Sequence, residues 1–202
     1  MSEQSSQRFP DDRTKEAYHY FVKEFSKESD RAAVILGAAK LDILLYQILV
    51  ATLKPSPTST DALLDGDSPL STFSSRINLC HRLGLIDDQL ARALNIIRKI
   101  RNSFAHEISS TTLSSGSHSD RIRELLTPFS HYRKQFEFFK SLWVEQNDMS
   151  GPSGDFRVAI AVVGARLETT FASASDISRQ SPITLVPQSW DTPTKAIENT
   201  DK

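Results

Sequence analysis

The chain has 202 residues, enough for one domain with its own core, and its 39% hydrophobic and 24% charged residues exclude collagen-like and wholly disordered classes. Its formal net charge of −1 provides no general excess of Lys and Arg for a nucleic-acid backbone, so any such contact must be local. The single cysteine, Cys80, excludes an intramolecular disulfide and a cysteine-based metal site, which fits a reducing cytoplasm.

Both ends of the chain have the polar, aperiodic composition of solvated tails, over residues 1–11 and 176–202. The first 12 residues also lack the apolar core of a signal peptide. We therefore expect one helical domain over residues 12–175 between two disordered tails.

The second predicted helix is apolar on most sides. It begins at Ser29 or Asp30, either of which suits an N-cap, and it ends before Pro55. Lys40 and Asp42 lie within its apolar stretch, whereas a lone membrane span is almost free of charge. The pattern favours a buried core helix and predicts no membrane partner.

Local signals divide the rest of the chain into further helices. Gly66 and Pro69 mark a tight turn, and the liganding pattern that would make Asp65 and Asp67 a calcium loop is missing. A third helix ends at Gly84. A fourth is capped by Asp87 or Asp88 and carries an apolar stripe that ends at Phe104.

The C-terminal third begins with a Ser-rich segment, residues 109–119, which predicts a flexible loop. Asp155 is the predicted cap of a final helix, and no stretch alternates as a strand does. The fold class is therefore all-α, a compact bundle of about five to six helices. Aromatic residues at helical spacing predict packing within the bundle or across a homodimer: Phe129, Tyr132, Phe136, Phe139 and Trp143.

Common catalytic motifs are missing from the sequence. It contains no glycine-rich phosphate loop, nucleophile elbow, His-Glu-x-x-His or Cys-x-x-Cys, and its five histidines do not cluster. We expect no cofactor and no metal.

The segment from Arg101 to His106 gathers groups that could act on a phosphodiester. Asn102 and His106 are four apart and share a helix face, and Arg101 has a side chain long enough to reach them. An imidazole transfers protons near neutral pH, and a guanidinium holds phosphate by two parallel hydrogen bonds. On the residues alone, a basic residue stabilised by the helix dipole is the favoured explanation.

Five blocks occur in order along the chain: ESDR at 28–31, LLDGDSPL at 63–70, FSSRI at 73–77, LGLI at 83–86 and IRKIRNSFAH at 97–106. Together they resemble the mannitol-operon repressor family over about residues 15–145. The resemblance implies an all-helical regulatory protein that acts through a protein partner, because the family has no recognised DNA-binding module. No helix-turn-helix with a basic recognition helix is evident here either.

The same Arg-Asn-x3-His pattern resembles HEPN domains, helical dimers with a metal-independent ribonuclease site formed across the two chains. That resemblance implies that Arg101 holds the phosphate, Asn102 orients the substrate or the imidazole, and His106 transfers a proton. An acidic residue on an earlier helix often completes such sites. Glu28 and Asp30 are the candidates, although a salt bridge to Arg31 or Arg101 is the favoured role for both.

Two function hypotheses follow. The leading one is a regulator of the mannitol-operon repressor type that binds a protein partner, and the alternative is an endoribonuclease of the toxin or phage-defence type. Under the alternative, Arg98 and Lys99 would contact RNA, although a solvated basic face explains them as well. Cys80 lies on an apolar helix face, which indicates a core residue.

Overall fold

The structure, a computed structural model, describes residues 12–107, 112–147 and 150–174; both predicted tails lie outside these ranges. Within them the chain is all-helical, as predicted, but it forms seven α-helices and one 3-10 helix rather than five or six helices. The elements are α1 (Asp12–Phe25), α2 (Asp30–Thr52), α3 (Phe73–Arg82), α4 (Asp88–His106), α5 (Gly116–Leu125), a 3-10 helix (Thr127–Tyr132), α6 (Arg133–Asn147) and α7 (Gly151–Ser173).

The core is built around the two longest helices, α2 and α7. Helix α7 packs against α1, α2, α5 and α6, and α2 also packs against α3 and α4. Helix α1 approaches α7 closely at Gly164, where a Cβ atom would lie 2.3 Å from Cζ of the buried Phe21. Glycine is therefore the residue that lets these two helices meet.

Three of the predicted helix ends agree with the structure, and each is defined by local side chains or by a glycine. The Ser29 hydroxyl accepts a hydrogen bond from the Ala32 amide at 3.2 Å, and the Asp87 carboxylate accepts one from the Leu90 amide at 2.8 Å. Both side chains satisfy amides that the first helical turn leaves without partners. Gly84 ends α3 with a φ of 71°.

The connector between α2 and α3 is a tight turn, as predicted. Gly66 adopts a φ of 62°, a left-handed conformation that side chains disfavour. The Asp65 carboxylate accepts hydrogen bonds from the Asp61 amide at 2.8 Å and from the Tyr46 hydroxyl at 3.3 Å. These contacts fix the turn to α2 and give the carboxylate a structural role.

The predicted Ser-rich loop is shorter than expected, because α5 begins at Gly116. Leu113 is fully buried and its amide donates a 2.9 Å hydrogen bond to the Asp30 carboxylate. His118 is also buried. These contacts order the described part of the segment, 112–119, and residues 108–111 lie outside the description.

The final helix begins at Gly151 rather than after an Asp155 cap. Pro152 occupies its first turn, where a residue without an amide hydrogen is tolerated. Asp155 lies inside the helix and pairs with Lys140 at 2.6 Å, which joins α6 to α7.

The aromatic residues after Pro128 pack inside the bundle where their side chains are described. The rings of Phe129 and Phe136 lie 5.1 Å apart, and the ring of Phe139 lies 5.0 Å from that of Tyr18 on α1. Burial raises the pKa of the Tyr18 phenol, whose hydroxyl donates to the Phe139 carbonyl at 2.6 Å. The side chains of Tyr132 and Trp143 lie outside the description.

Helix α2 is a core helix with one uncovered side. Among the described helices it is long and apolar enough to span a membrane, but half of its most hydrophobic stretch is buried in the bundle. The prediction of a core helix is therefore right for its inner faces. Leu36, Ile43 and Val50, however, are about half exposed, at 49%, 49% and 48%.

Candidate functional site

The end of α4 presents Arg101, Asn102 and His106 to the surface. A guanidinium nitrogen of Arg101 donates to the Asn102 side-chain oxygen at 3.1 Å. Helical geometry separates the directions of residues 101 and 106 by about 140°, and those of residues 102 and 106 by about 40°. The structure thus joins Arg101 to Asn102 and directs His106 away from Arg101.

Arg101 and Asn102 line a groove that also contains Arg98. Its volume is about 480 Å³, and it lies between α2, the start of α3 and α4. His106 does not line it. The groove brings two of the sequence blocks together, FSSRI at 73–77 and IRKIRNSFAH at 97–106. Its polar lining is Asp42, Ser71, Thr72, Ser74, Arg98, Arg101 and Asn102, and its apolar lining is Ala38, Ala39, Ile43 and Phe73.

Asp42 is the carboxylate of this groove. It accepts a 2.8 Å hydrogen bond from Arg76, whose guanidinium also lies 5.1 Å from the centre of the Tyr46 ring. Burial raises the pKa of Asp42 and outweighs the opposite effects of Arg76 and Arg101. Because Arg76 already pairs with Asp42, the guanidiniums of Arg98 and Arg101 remain as the donors for an anionic group in the groove.

The basic side chains of α4 do not all lie on one surface. Arg98 is half-buried in the groove, whereas Lys99 is exposed and does not line it. Arg92, two turns earlier, lies 3.7 Å from Glu124 on α5. Of the basic residues on α4, Arg98 and Arg101 therefore line the same groove.

Asp30 and Glu28 lie away from the groove, around Arg157 on α7. Arg157 is 1% exposed and donates to Asp30 at 2.9 Å and to the Glu28 carbonyl at 2.7 Å. The salt bridge of Asp30 is therefore with Arg157, and the predicted partners Arg31 and Arg101 do not make it.

Asp30 is held ionised by this cluster. Burial raises the pKa of Asp30. Hydrogen bonds from Ser153, the Leu113 amide and Arg157, together with the charge of Arg157, lower it by more, so the net shift of the pKa is downward. A carboxylate with a lowered pKa and fixed donors is a poor general acid or base near neutral pH. Its role here is structural.

Arg31 explains why the ESDR block accompanies the block on α4. Its guanidinium donates to the Phe104 carbonyl at 2.7 Å and to the Glu107 carbonyl. These carbonyls lie at the C-terminal end of α4, where the helix leaves acceptors without partners. Arg31 thus fixes the helix end that carries His106.

The sequence reasoning missed a buried pair beside this helix end. His118 Nε2 lies 3.2 Å from the Glu107 carboxylate, and its ring lies 4.7 Å from that of Phe104. His118 had been placed in the flexible loop, and the burial of Leu113 that brings it here depends on tertiary contacts. The contact between His118 and Glu107 joins α5 to the C-terminal end of α4.

Cys80 and the other metal-binding residue types offer no competing site. Cys80 is fully buried, as predicted, and burial raises the pKa of its thiol to about 12, which disfavours the reactive thiolate. Among the described residues, no three His, Cys, Asp or Glu side chains form a group that could hold a metal ion.

Comparisons with known proteins agree with the fold. No protein-family model matches the sequence. No curated protein matches it either. A chain in the X-ray structure of the MtlR–HPr complex from Escherichia coli is similar, with a TM-score of 0.51, 15% identity and coverage of 78% of this chain and 99% of that one. At this identity the likeness establishes a shared helical fold.

Proposed function

We propose that this chain is a cytoplasmic regulatory protein that acts by binding a protein partner, as expected for the mannitol-operon repressor type. The similar chain comes from a complex of two proteins, MtlR and HPr, and HPr is therefore the first partner to test. The groove beside α4 is the proposed contact site. It would receive an acidic segment of the partner.

One observation carries this proposal: Arg98 and Arg101 line the groove and His106 does not. Two guanidiniums in one groove can bind carboxylates through charge-assisted hydrogen bonds. Cleavage of a phosphodiester would also need a free proton-transferring group beside the bound phosphate, and the carboxylate of the groove, Asp42, is already paired with Arg76. The arrangement therefore favours binding over catalysis.

The test is a calorimetric titration of the full chain with HPr from the same organism. We expect binding by the wild type and at least tenfold weaker binding by an Arg98→Glu/Arg101→Glu variant, because like charges would meet across the contact. The matched control is Lys99→Glu, which changes an exposed charge of the same helix outside the groove. Equal loss in the control, or none in the double variant, would reject the groove as the contact.

A second assay tests the reaction class directly. Incubation of the purified chain with RNA in EDTA should leave the RNA intact. If the RNA is cleaved, and His106→Ala abolishes cleavage while the circular dichroism spectrum is unchanged, the non-catalytic proposal is wrong.

A further inference from the structure

The uncovered side of α2 has the spacing of a helix–helix contact. Leu36, Ile43 and Val50 follow each other at intervals of seven, and Ala39 and Tyr46 lie between them. We name these five residues the α2 seam. Apolar residues alternately three and four apart form the contact line of two packed helices.

The α2 seam faces outward while the remaining sides of α2 pack on the bundle. Leu36 and Ile43 are each 49% exposed, and Val50 is 48% exposed. The inner faces are covered by α3, α4 and α7. A continuous apolar line on the surface of a helical protein is typical of an interaction site.

We infer that the α2 seam is the interface with a second copy of this chain. A two-fold contact must be complementary to itself. Leu36 and Val50 are equally distant in sequence from Ile43. If two copies of α2 cross antiparallel with the axis beside Ile43, each Leu36 meets the Val50 of the other copy and the two Ile43 side chains meet.

The charges along the α2 seam permit this contact. Lys40 and Asp42 are the two ionisable acidic or basic residues between Leu36 and Val50, one of each sign. Two facing copies therefore bring together no net charge. Asp42 is already paired with Arg76, so it does not bring an isolated charge to the contact.

The surface beside the α2 seam extends the possible contact. Lys40 lies over the ring of Tyr20 at 5.6 Å, and Tyr20 is 50% exposed. On the other side, Tyr46 bonds to the connector, where Leu63 is 51% exposed. The line from Leu36 to Val50 is about 21 Å long. The exposed side chains of Tyr20 and Leu63 add apolar surface next to this line.

The dimer would complete the groove described above. Ala39 and Ile43 belong both to the α2 seam and to the groove wall. The second copy's α2 would therefore run along the groove mouth, and two grooves would flank the two-fold axis. The dimer inference does not depend on the partner that the groove binds.

The first test is the mass of the full chain in solution by light scattering and sedimentation over a range of concentrations. We expect two copies for the wild type and one for Ile43→Glu, which places two carboxylates at the axis. The control is Leu83→Glu, which changes an exposed leucine outside the α2 seam and should remain dimeric. A monomeric wild type, or a dimeric Ile43→Glu, overturns the inference.

Oxidative cross-linking tests the orientation. Ile43→Cys should give a disulfide-linked dimer, because the two positions meet at the axis. Leu36→Cys alone should not, since its two copies would be about 21 Å apart, well beyond disulfide reach. Mixing Leu36→Cys with Val50→Cys should restore cross-linking. Cross-linking by Leu36→Cys alone would instead indicate parallel helices.

A membrane is the competing occupant. Sedimentation of the wild type with phosphatidylcholine–phosphatidylglycerol vesicles distinguishes the two. We expect the chain to stay in the supernatant. Vesicle binding that Ile43→Glu abolishes, with a monomeric wild type in solution, would overturn the dimer in favour of a lipid surface.

Discussion

At the scale of single residues, Arg157 makes contacts to segments of the chain that are far from it in the sequence. Its guanidinium binds the Phe25 and Glu28 carbonyls, Ser153 and the Asp30 carboxylate, and it is 1% exposed. These contacts connect the end of α1 and the start of α2 to α7. A buried arginine is tolerated when each of its donors has a partner, and here the partners come from three segments.

We expect Arg157→Met to lower the free energy of unfolding by about 3–5 kcal/mol at pH 7, because Asp30 would remain charged and without its cation. Urea unfolding followed by circular dichroism measures this loss. Arg166→Met, an exposed position on the same helix, is the control and should change stability by less than about 0.5 kcal/mol. A loss below about 1 kcal/mol for Arg157→Met would show that the cluster relaxes without cost.

The same pair predicts a dependence on pH. The pKa of Asp30 is lowered in the folded chain, so its contribution is complete above the usual value of 3.8 and is lost as the pH falls through the folded value. The difference between the wild type and Arg157→Met should therefore shrink below about pH 4. A constant difference would assign the stability to the carbonyl contacts alone.

Arg157 also shows what the sequence could not provide. A lone arginine in the apolar stretch from Phe156 to Val163 signals a buried partner, but nothing local identifies that partner as Asp30. The two residues are 127 positions apart. The contact between Asp30 and Leu113 also joins positions far apart in the sequence, 83 residues. The predicted loop was too long because no local pattern indicates this contact.

At the scale of whole helices, the contact between α1 and α7 depends on Gly164. Alanine has the better helix propensity by about 1 kcal/mol, so a destabilising Gly164→Ala would be due to packing. We expect a loss of about 1–3 kcal/mol, because the new Cβ atom would lie 2.3 Å from the buried Phe21 ring. Thermal unfolding measures it.

A double-mutant cycle identifies the cause. In a Phe21→Leu background the smaller side chain leaves room, so Gly164→Ala should cost less than in the wild type. Equal costs in both backgrounds would mean that the clash is absent and that another contact limits the approach of the helices.

Most helix ends defined by local side chains were predicted well, with the start of α7 as the exception, whereas segments ordered by tertiary contacts were not. The Ser29 and Asp87 caps and the Gly84 end follow from side chains next to the helix termini. The start of α7 was placed five residues late, because Asp155 was interpreted as the N-cap and Ser150 occupies that position.

At the scale of the molecule, the candidate site could be predicted only in part. The block on α4 indicated Arg101 and Asn102, and the resemblance indicated the block at the start of α3, residues 73–77. That both meet Asp42 in one groove depends on how α2, α3 and α4 pack. His106 shares a short sequence motif with Arg101 but does not line the groove, and its direction from the helix axis differs by about 140° from that of Arg101.

The proposed dimer predicts how stability depends on concentration. If folding is coupled to association through the α2 seam, the Tm of the wild type should rise by about 2–5 °C for a hundredfold increase in protein concentration, since mass action favours the associated state. Ile43→Glu should lose this dependence, and Leu83→Glu should keep it. Because the comparison is between slopes rather than between absolute Tm values, a change in the intrinsic stability of Ile43→Glu does not affect the conclusion. Equal slopes in all three proteins would mean that the α2 seam makes no contact that is linked to folding.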